Sequence, residues 1–262
     1  MSKIKIRFFA ELNDFLIPSL RQKIMEFDFR GKIKVKDLIE SYNIPHPEIE
    51  LIIVNGKSVD FSYQVKSGDF IAVYPVFESI EVSPVIKLRD HPLRKIKFVL
   101  DVHLGKLCRN LRLLGLDTYY ENNLDDDQLA AISHSQHRIL ITRDINLLKR
   151  TKVIWGYWIR EKDPYLQTLS VIRRFDLSLH LQPFSRCLRC NQKIERVDKP
   201  YIQHRLPVNT RKYFENFYLC SNCDRIYWKG SHYKNMVKFV EKVIKHSNEN
   251  HPQKQLTKKE CT

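Results

Sequence analysis

Hydrophobic and polar residues alternate through residues 3–76 in the manner of a β-rich module. The stretches KIKIRFF and KIMEFDF predict two strands, and VKDLIESYN predicts a short helix after them. LIIVNGKSVDF predicts a hairpin, because Asn-Gly is the strongest two-residue turn signal, and SGDFIAVYPV predicts a closing strand. This order of elements predicts an α+β domain of the β-grasp type over residues 1–78.

Strands and helices alternate further along the chain, behind a proline-containing linker predicted at 79–94. KFVL, DTYYE, ILIT and VIWGYWI predict strands, and the segments between and after them predict helices, the first of which ends at Gly115. Strands that alternate with helices predict a parallel sheet with flanking helices, here over 95–183. A cysteine-containing module with a final helix is predicted at 184–246, and a polar tail at 247–262 is predicted to be disordered.

Charge is distributed unevenly between these modules. Residues 1–85 carry 11 Lys/Arg and 12 Asp/Glu, whereas residues 86–262 carry 34 and 18. Such a basic region attracts polyanions and indicates a nucleic-acid partner, although a basic surface that serves solubility is the alternative. No apolar run approaches the roughly 20 residues of a membrane span, and the N-terminal segment lacks a signal-peptide core. We therefore expect a cytoplasmic protein without membrane contact.

Acidic residues follow two of the predicted strands of the parallel sheet. Asp101 ends IKFVLD and Asp144 ends ILITRD, while 125–127 places three aspartates at a helix start. The carboxyl ends of parallel strands share one edge, so Asp101 and Asp144 can converge. Convergent carboxylates favour a hard cation such as Mg²⁺ or Mn²⁺, which can orient water at a phosphodiester. Helix capping by these acids is the alternative, and spacing alone leaves both open.

Basic residues recur every three positions along the helix after Asp101. Lys106, Arg109 and Arg112 occupy one face, opposite a row of leucines. An ordinary solvated helix face has this pattern, but beside a carboxylate cluster these cations would also let a polyanionic substrate approach.

Four cysteines form two CxxC pairs, Cys187/Cys190 and Cys220/Cys223. Two such pairs can complete a tetrahedral Cys₄ zinc site, which is structural because four thiolates leave no open position. A redox role would need only one pair. Tyrosines and arginines crowd the same module, as in surfaces that stack on bases, although some aromatic residues must form its core.

Three longer motifs of the chain are FVLDVHLGKLCRNLRLLGLDTYY, DDDQLAAI and RILITRD. They resemble the Mut-seven C-terminal RNase family of PIN-like domains. CLRC, CSNC and YWKGSHY are similar to the zinc ribbon of that family, and RFFAELNDFL, VKDLIES and GDFIAVYPVFE resemble its N-terminal ubiquitin-like module. The resemblance covers roughly residues 3–240.

The resemblance implies metal-dependent cleavage of RNA, with tRNA or another structured or single-stranded RNA as substrate. Matched by position, the catalytic acids are Asp101, Asp126 and Asp144, with Asp125 and Asp127 as alternatives to Asp126. PIN nucleases gather four acids, and three are placed here; His103 departs from the family pattern and leaves the number of metal ions open. The RNA-contacting residues are predicted to be Lys106, Arg109, Arg112 and Arg143.

Two alternatives concern the role of the modules. A non-catalytic RNA-binding protein, associated with tRNA or the ribosome, would account for the basic charge and the zinc ribbon. It would not account for carboxylates that face a phosphate backbone, and we therefore expect an enzyme. The ubiquitin-like module lacks the Gly-Gly terminus of sulfur carriers, so we expect it to dock a protein, the ribosome or RNA.

Overall fold

The computed structural model describes residues 1–75, 88 and 96–248. The chain forms two compact units, one of Met1–Asp101 with Asn123–Ile159 and one of Val102–Asn122 with Arg160–Thr262. These units do not follow the predicted domain boundaries, which stay predictions. The predicted linker 79–94, except residue 88, and the predicted tail beyond residue 248 lie outside the described residues.

A five-stranded sheet forms the N-terminal part of the first unit. Its strands are β1 (Ser2–Phe8), β2 (Met25–Phe29), β3 (Ile49–Val54), β4 (Lys57–Val59) and β5 (Phe70–Pro75), in the order β2-β1-β5-β3-β4. β1 and β5 are parallel, and the other neighbours are antiparallel. Helix α1 (Val35–Ser41) contributes its buried side chains to the same core as the inward residues of β1. The predicted β-grasp order of elements is confirmed.

The Asn-Gly turn of this sheet has the predicted geometry. Asn55 and Gly56 have φ angles of 50° and 82° between β3 and β4. Both residues are in the left-handed region that the favoured two-residue hairpin turn requires, which explains why this dipeptide is found there.

Three parallel strands of the first unit pair with one another in a second sheet: β6 (Phe98–Leu100), β8 (Ile139–Thr142) and β9 (Gly156–Trp158). Every residue of β6 and β8 is buried. Helix α3 (Asp126–Ser135) packs against both strands, and α4 (Ile145–Leu148) packs against β8 and β9. Strands covered in this way are continuously apolar, and the predicted parallel sheet with flanking helices is confirmed.

Polar contacts join the two sheets of the first unit. The ring of His46 lies between Oε1 of Glu40, at 2.8 Å from Nδ1, and the carbonyl oxygen of Val153, at 2.9 Å from Nε2. The Trp158 N–H donates to Oε1 of Glu48 at 2.6 Å. Hydrogen bonds to His46, Glu40 and Glu48 also lower the cost of burying these polar groups.

Three helices pack in the second unit: α2 (Gly105–Leu113), α5 (Pro164–Arg174) and α8 (Tyr233–Asn248), with α5 in contact with the other two. Asn110 Nδ2 donates to Thr168 Oγ1 at 3.0 Å, and the Tyr165 hydroxyl lies 2.6 Å from His246 Nδ1. The short strand β7 (Thr118–Tyr119) follows α2. Helix α8 continues through Ser247, past the predicted start of the tail.

The cysteine-containing module lies in the same unit. Its strands β10 (Glu195–Val197), β11 (Phe217–Leu219) and β12 (Ile226–Trp228) form an antiparallel sheet, and helices α6 (Lys199–Ile202) and α7 (Val208–Tyr213) lie between β10 and β11. Phe217 is fully buried and packs with Ile202 and Leu206 in a small core. Within the described part of the chain, no helix has the length and apolar character needed to cross a membrane.

Candidate active site and metal centre

Asp101 and Asp144 lie at the same edge of the parallel sheet. Asp101 follows β6 directly, and its N–H donates to the carbonyl oxygen of Ile141 at 3.1 Å, which continues the pairing of β6 with β8. Asp144 lies two residues beyond the end of β8. The parallel register therefore brings two acids that are 43 positions apart in sequence to neighbouring strand ends.

A buried threonine connects the two acidic residues. The Thr142 hydroxyl donates to Oδ2 of Asp101 at 2.6 Å and accepts from the backbone N–H of Asp144 at 2.9 Å. Thr142 is fully buried, and Asp101 is 9% exposed. The hydroxyl thus fixes the carboxylate of Asp101 relative to the backbone of Asp144. Sequence analysis overlooked Thr142, whose signal is a polar residue at the end of an otherwise apolar strand.

Asp144 also caps a helix. Its side chain accepts from the N–H of Asn146 at 2.7 Å at the start of α4. The capping alternative is therefore correct for one carboxylate oxygen of Asp144. A carboxylate offers about four lone-pair positions, so a single cap bond does not exhaust it, and the side chain is exposed.

The three aspartates before α3 have different partners. Asp125 is the helix cap: it accepts from the Gln128 N–H at 2.8 Å, while the Gln128 side chain accepts from the Asp125 N–H at 2.9 Å. Asp126 pairs with Arg150 at 3.4 Å, and Asp127 is in closer contact with the same guanidinium. The capping alternative is thus correct for Asp125, and Arg150 is a partner that the sequence pattern did not indicate.

The sheet edge formed by Asp101 and Asp144, here called the acidic edge, offers only oxygen ligands. Such ligands are the ones that a hard divalent cation prefers. Among residues 1–75, 88 and 96–248, however, the four cysteines are the one group of three or more His, Cys, Asp or Glu side chains placed to hold a metal ion. Asp101, Asp126 and Asp144 do not form such a group in this structure. Mg²⁺ is commonly held by one or two carboxylates together with water and substrate phosphate, and Asp101 with Asp144 fit that smaller donor set.

The predicted RNA-contacting residues divide into two groups. Lys106, Arg109 and Arg143 have exposed side chains. Arg112 is only 4% exposed, so the prediction that it lies on a solvated helix face is wrong. The physical reason is that the first CxxC turn lies against the side of α2 from which Arg112 projects.

The guanidinium of Arg112 binds backbone carbonyl oxygens. Its Nε donates to Thr118 at 2.9 Å, and its Nη1 donates to Leu188 at 3.2 Å and to Arg189 at 2.6 Å. Leu188 and Arg189 are the two residues inside the first CxxC pair. Arg112 therefore holds that turn in place instead of facing solvent.

The four predicted cysteine ligands come together as one cluster. Their sulfur atoms lie within 4.8 Å of one another, with 3.4 Å between Cys187 and Cys223 and 3.3 Å between Cys190 and Cys220. Thiolates in a tetrahedral zinc site are about 3.8 Å apart, because each Zn–S bond is about 2.3 Å long. The two CxxC pairs, which have 29 residues between them in the sequence, could therefore hold one metal ion.

Both CxxC turns have the same backbone geometry. The N–H of Asn191 donates to the Cys187 carbonyl at 3.0 Å, and the N–H of Asp224 donates to the Cys220 carbonyl at 2.8 Å. Asn191 and Asp224 have φ angles of 72° and 56°, in the left-handed region that Asn and Asp tolerate. The two turns thus present their sulfurs in equivalent ways.

Hydrogen bonds change the acidity of the first cysteine. Burial raises the pKa of Cys187, but hydrogen bonds from the Tyr227 hydroxyl and from the backbone N–H groups of Cys190 and Arg189 outweigh burial and lower it to about 6. The Tyr227 oxygen lies 3.0 Å from the sulfur. By contrast, burial raises the pKa of Cys108, which lies among the leucines of α2, to about 11.

A corner between α2 and β7 binds the first CxxC turn. Asn191 donates to Asp117 at 2.8 Å and accepts from the Thr118 N–H at 2.9 Å, while Arg186 Nε donates to the Gly115 carbonyl at 3.0 Å. Gly115 has φ of 85°, and a Cβ there would lie 2.1 Å from the Gln182 carbonyl oxygen. The predicted glycine stop of α2 is therefore also a point of close backbone approach.

Two known family models match this chain. Residues 96–240 match the model of the Mut7-C RNAse domain, and residues 1–81 match that of the Mut7-C ubiquitin domain. The chain belongs to the Mut7-C RNase family. No curated protein and no solved structure matches it. The Mut7-C match includes the acidic edge, helix α2 and all four cysteines, which makes the cysteine module part of the family domain.

Proposed function

We propose that this Mut7-C protein is a metal-dependent ribonuclease with a PIN-like fold, which hydrolyses RNA phosphodiester bonds at the edge formed by Asp101 and Asp144. The observation that carries the proposal is the hydrogen-bonded chain Asp101–Thr142–Asp144 at adjacent ends of parallel strands. Burying a carboxyl group costs free energy even when a hydroxyl donates to it, which supports a functional role for Asp101. The match to an RNAse domain supports this role.

The acids would hold the catalytic cation. Asp101 and Asp144 would bind Mg²⁺ or Mn²⁺ through carboxylate oxygens, and Asp126 would supply a third acid once separated from Arg150. A bound divalent ion orients water and offsets charge on the scissile phosphate. Thr142 keeps Asp101 in one orientation, so little reorganisation is needed when substrate arrives.

Other parts of the chain would bind and position RNA. Exposed Lys106, Arg109 and Arg143 carry the charge that phosphate contacts require. The four cysteines would hold a structural zinc ion in a zinc ribbon, and reduced thiolates fit the cytoplasmic location that the sequence predicts. The ubiquitin-like module would dock a protein or the ribosome.

Cleavage assays with point variants test the proposal. Wild type, Asp101→Asn and Asp144→Asn would be incubated with labelled tRNA and single-stranded RNA in Mg²⁺, Mn²⁺ or EDTA. We expect metal-dependent cleavage by wild type alone, with RNA affinity retained in both variants. Zinc content measured on the same samples separates loss of the catalytic ion from loss of the structural one.

The neighbouring acids supply the matched control. Asp126→Asn should reduce cleavage, whereas Asp127→Asn, which removes the more exposed acid of the Arg150 pair, should not. Equal cleavage by wild type, Asp101→Asn and Asp144→Asn would indicate a contaminating nuclease. Tight RNA binding without cleavage under any condition would favour a non-catalytic RNA-binding protein instead.

A further inference from the structure

A cavity of about 380 Å³ lies beside the three-stranded sheet of the cysteine module. Its volume is within the range of small-molecule binding sites. We call it the aromatic pocket, after the side chains that make up much of its wall: Phe184, Tyr218, Tyr227, Trp228 and Tyr233. None of these side chains has a role in the proposed cleavage site.

Strand alternation explains why tyrosines face this pocket. Tyr218 and Tyr227 are directly opposite each other on β11 and β12, so their side chains share one face of the sheet. Phe217, the neighbour of Tyr218, is fully buried in the core on the other face. Tyr218 itself remains 36% exposed. The sheet thus buries one aromatic residue and presents the next one to the pocket.

The wall of the pocket is fixed to the metal centre. The hydroxyl of Tyr227 lies 3.0 Å from the Cys187 sulfur and accepts from the Leu188 N–H at 3.1 Å. Its ring therefore cannot swing out of the wall without losing both bonds. A preformed wall lowers the entropic cost of binding a ligand.

A glycine turn places a cation next to the rings. A Cβ at Gly230 would lie 2.8 Å from Nε1 of Trp228, so the absence of a side chain lets the indole lie against the turn. The Tyr233 N–H donates to the Gly230 carbonyl at 3.0 Å. Lys229 then lies with its Nζ 5.4 Å from the centre of the Tyr233 ring, in the range of a cation–π contact.

The electrostatic surroundings of the pocket favour an anion. Residues 184–236 carry 11 Lys/Arg and 4 Asp/Glu, and none of the described residues that line the pocket is acidic. Two of the four acids are already paired, Glu215 with Lys199 and Asp224 with Arg205. Lys229 has no carboxylate partner in the described part of the chain. Its ammonium group is therefore available to a ligand.

We propose that the aromatic pocket binds an unpaired nucleobase of the RNA substrate, with Lys229 at the adjacent phosphate. The inference rests on the proposed ribonuclease function and assigns the pocket as a substrate-positioning site. Flat aromatic rings beside a cation are the combination that single-stranded nucleic acids use, because bases stack on rings and phosphates bind cations. The base would lie against Tyr218, the most exposed ring of the wall.

Binding measurements with base-bearing and abasic RNA test this assignment. Full-length, zinc-loaded protein without added Mg²⁺ or Mn²⁺ would be titrated into labelled oligo(A), oligo(U) and an abasic oligomer of equal length. Tyr218→Ala should weaken binding of the base-bearing RNAs by roughly 5- to 100-fold and leave the abasic oligomer unaffected. Tyr218→Phe should bind as wild type does. The matched control is Tyr201→Ala, an aromatic residue of the same module that is 76% exposed and does not line the pocket.

Tryptophan fluorescence provides a second readout. Stacking of a base near Trp228 should quench the emission of wild type on titration with oligo(A), and Trp228→Phe should lose this quenching. The assignment is wrong if Tyr201→Ala and Tyr218→Ala lose equal affinity, if Tyr218→Ala loses as much affinity for the abasic oligomer, or if wild type binds none of the RNAs. Base-dependent binding without cleavage would reject the ribonuclease and keep the pocket. If the protein cleaves RNA and Tyr218→Ala binds RNA as tightly as wild type does, the assignment of the pocket is wrong and the ribonuclease function stands.

Discussion

Replacing Arg112 by methionine tests whether this arginine stabilises the metal centre or contacts RNA. Arg109 lies on the same helix, three residues earlier, with its side chain exposed, and so provides a matched control. Methionine retains much of the apolar stem of arginine while removing the guanidinium. The two variants therefore separate the effect of a buried cation from that of a surface one.

The structure sets the size of the expected effect. Arg112→Met leaves the carbonyl oxygens of Thr118, Leu188 and Arg189 without their donor. A hydrogen bond from a charged group contributes about 1.5–3 kcal/mol, but removing a buried cation also recovers part of its desolvation cost. We expect a net loss of about 2–4 kcal/mol in the free energy of unfolding. Arg109→Met should change it by less than about 0.5 kcal/mol.

Three measurements distinguish the variants: urea unfolding of zinc-loaded protein, the rate of zinc transfer to a chromogenic chelator, and the salt dependence of RNA binding. Arg112→Met should unfold at lower urea and release zinc faster, because Leu188 and Arg189 lie inside the first CxxC turn. Arg109→Met should retain zinc, bind RNA more weakly and show a shallower salt dependence. The reasoning is refuted if Arg112→Met is as stable as Arg109→Met, or if it keeps zinc and loses RNA affinity.

Two further predictions concern the first unit. Thr142→Val should lower cleavage and destabilise the fold by about 1–3 kcal/mol, because it removes the donor to Asp101 and the acceptor for the Asp144 N–H. Thr142→Ser keeps the hydroxyl and should therefore have the kcat of wild type. Full activity of Thr142→Val would show that the hydroxyl has only a structural role. Burial raises the pKa of Glu40, but the hydrogen bond and the charge of His46 outweigh burial and lower this pKa below 4.5. The Glu40–His46 pair therefore stabilises the fold above pH 4.5, and this stabilisation is lost as the pH falls through the lowered pKa. The stability difference between wild type and Glu40→Gln should therefore shrink as pH falls below 4.5 in acid unfolding experiments, and a constant difference would contradict the assignment.

The features that were predicted correctly from the sequence are those that a few neighbouring residues determine. The strand β8 and the turn at Asn55 were predictable because apolar runs and left-handed residues specify them over a few positions. Arg112 was wrongly predicted to be exposed. The residue pattern of α2 shows which face is rich in leucine, but it does not show that the first CxxC turn, 76 residues later, covers the neighbouring face. The pairing of Arg150 with Asp126 and Asp127 could not be predicted either, since it joins the start of α3 to a residue that follows α4.

Helix α2 gives the cysteine module a mechanical role in the proposed ribonuclease. Arg112 binds the first CxxC turn, whereas Lys106 and Arg109 on the same helix remain in solvent. Since a helix moves largely as one body, a metal ion that stabilised this turn would also help to fix the direction in which those two cations point. A structural metal site would thereby control the orientation of an RNA-contacting surface without touching RNA itself. This coupling would connect the four cysteines with the basic residues of α2 inside one family domain.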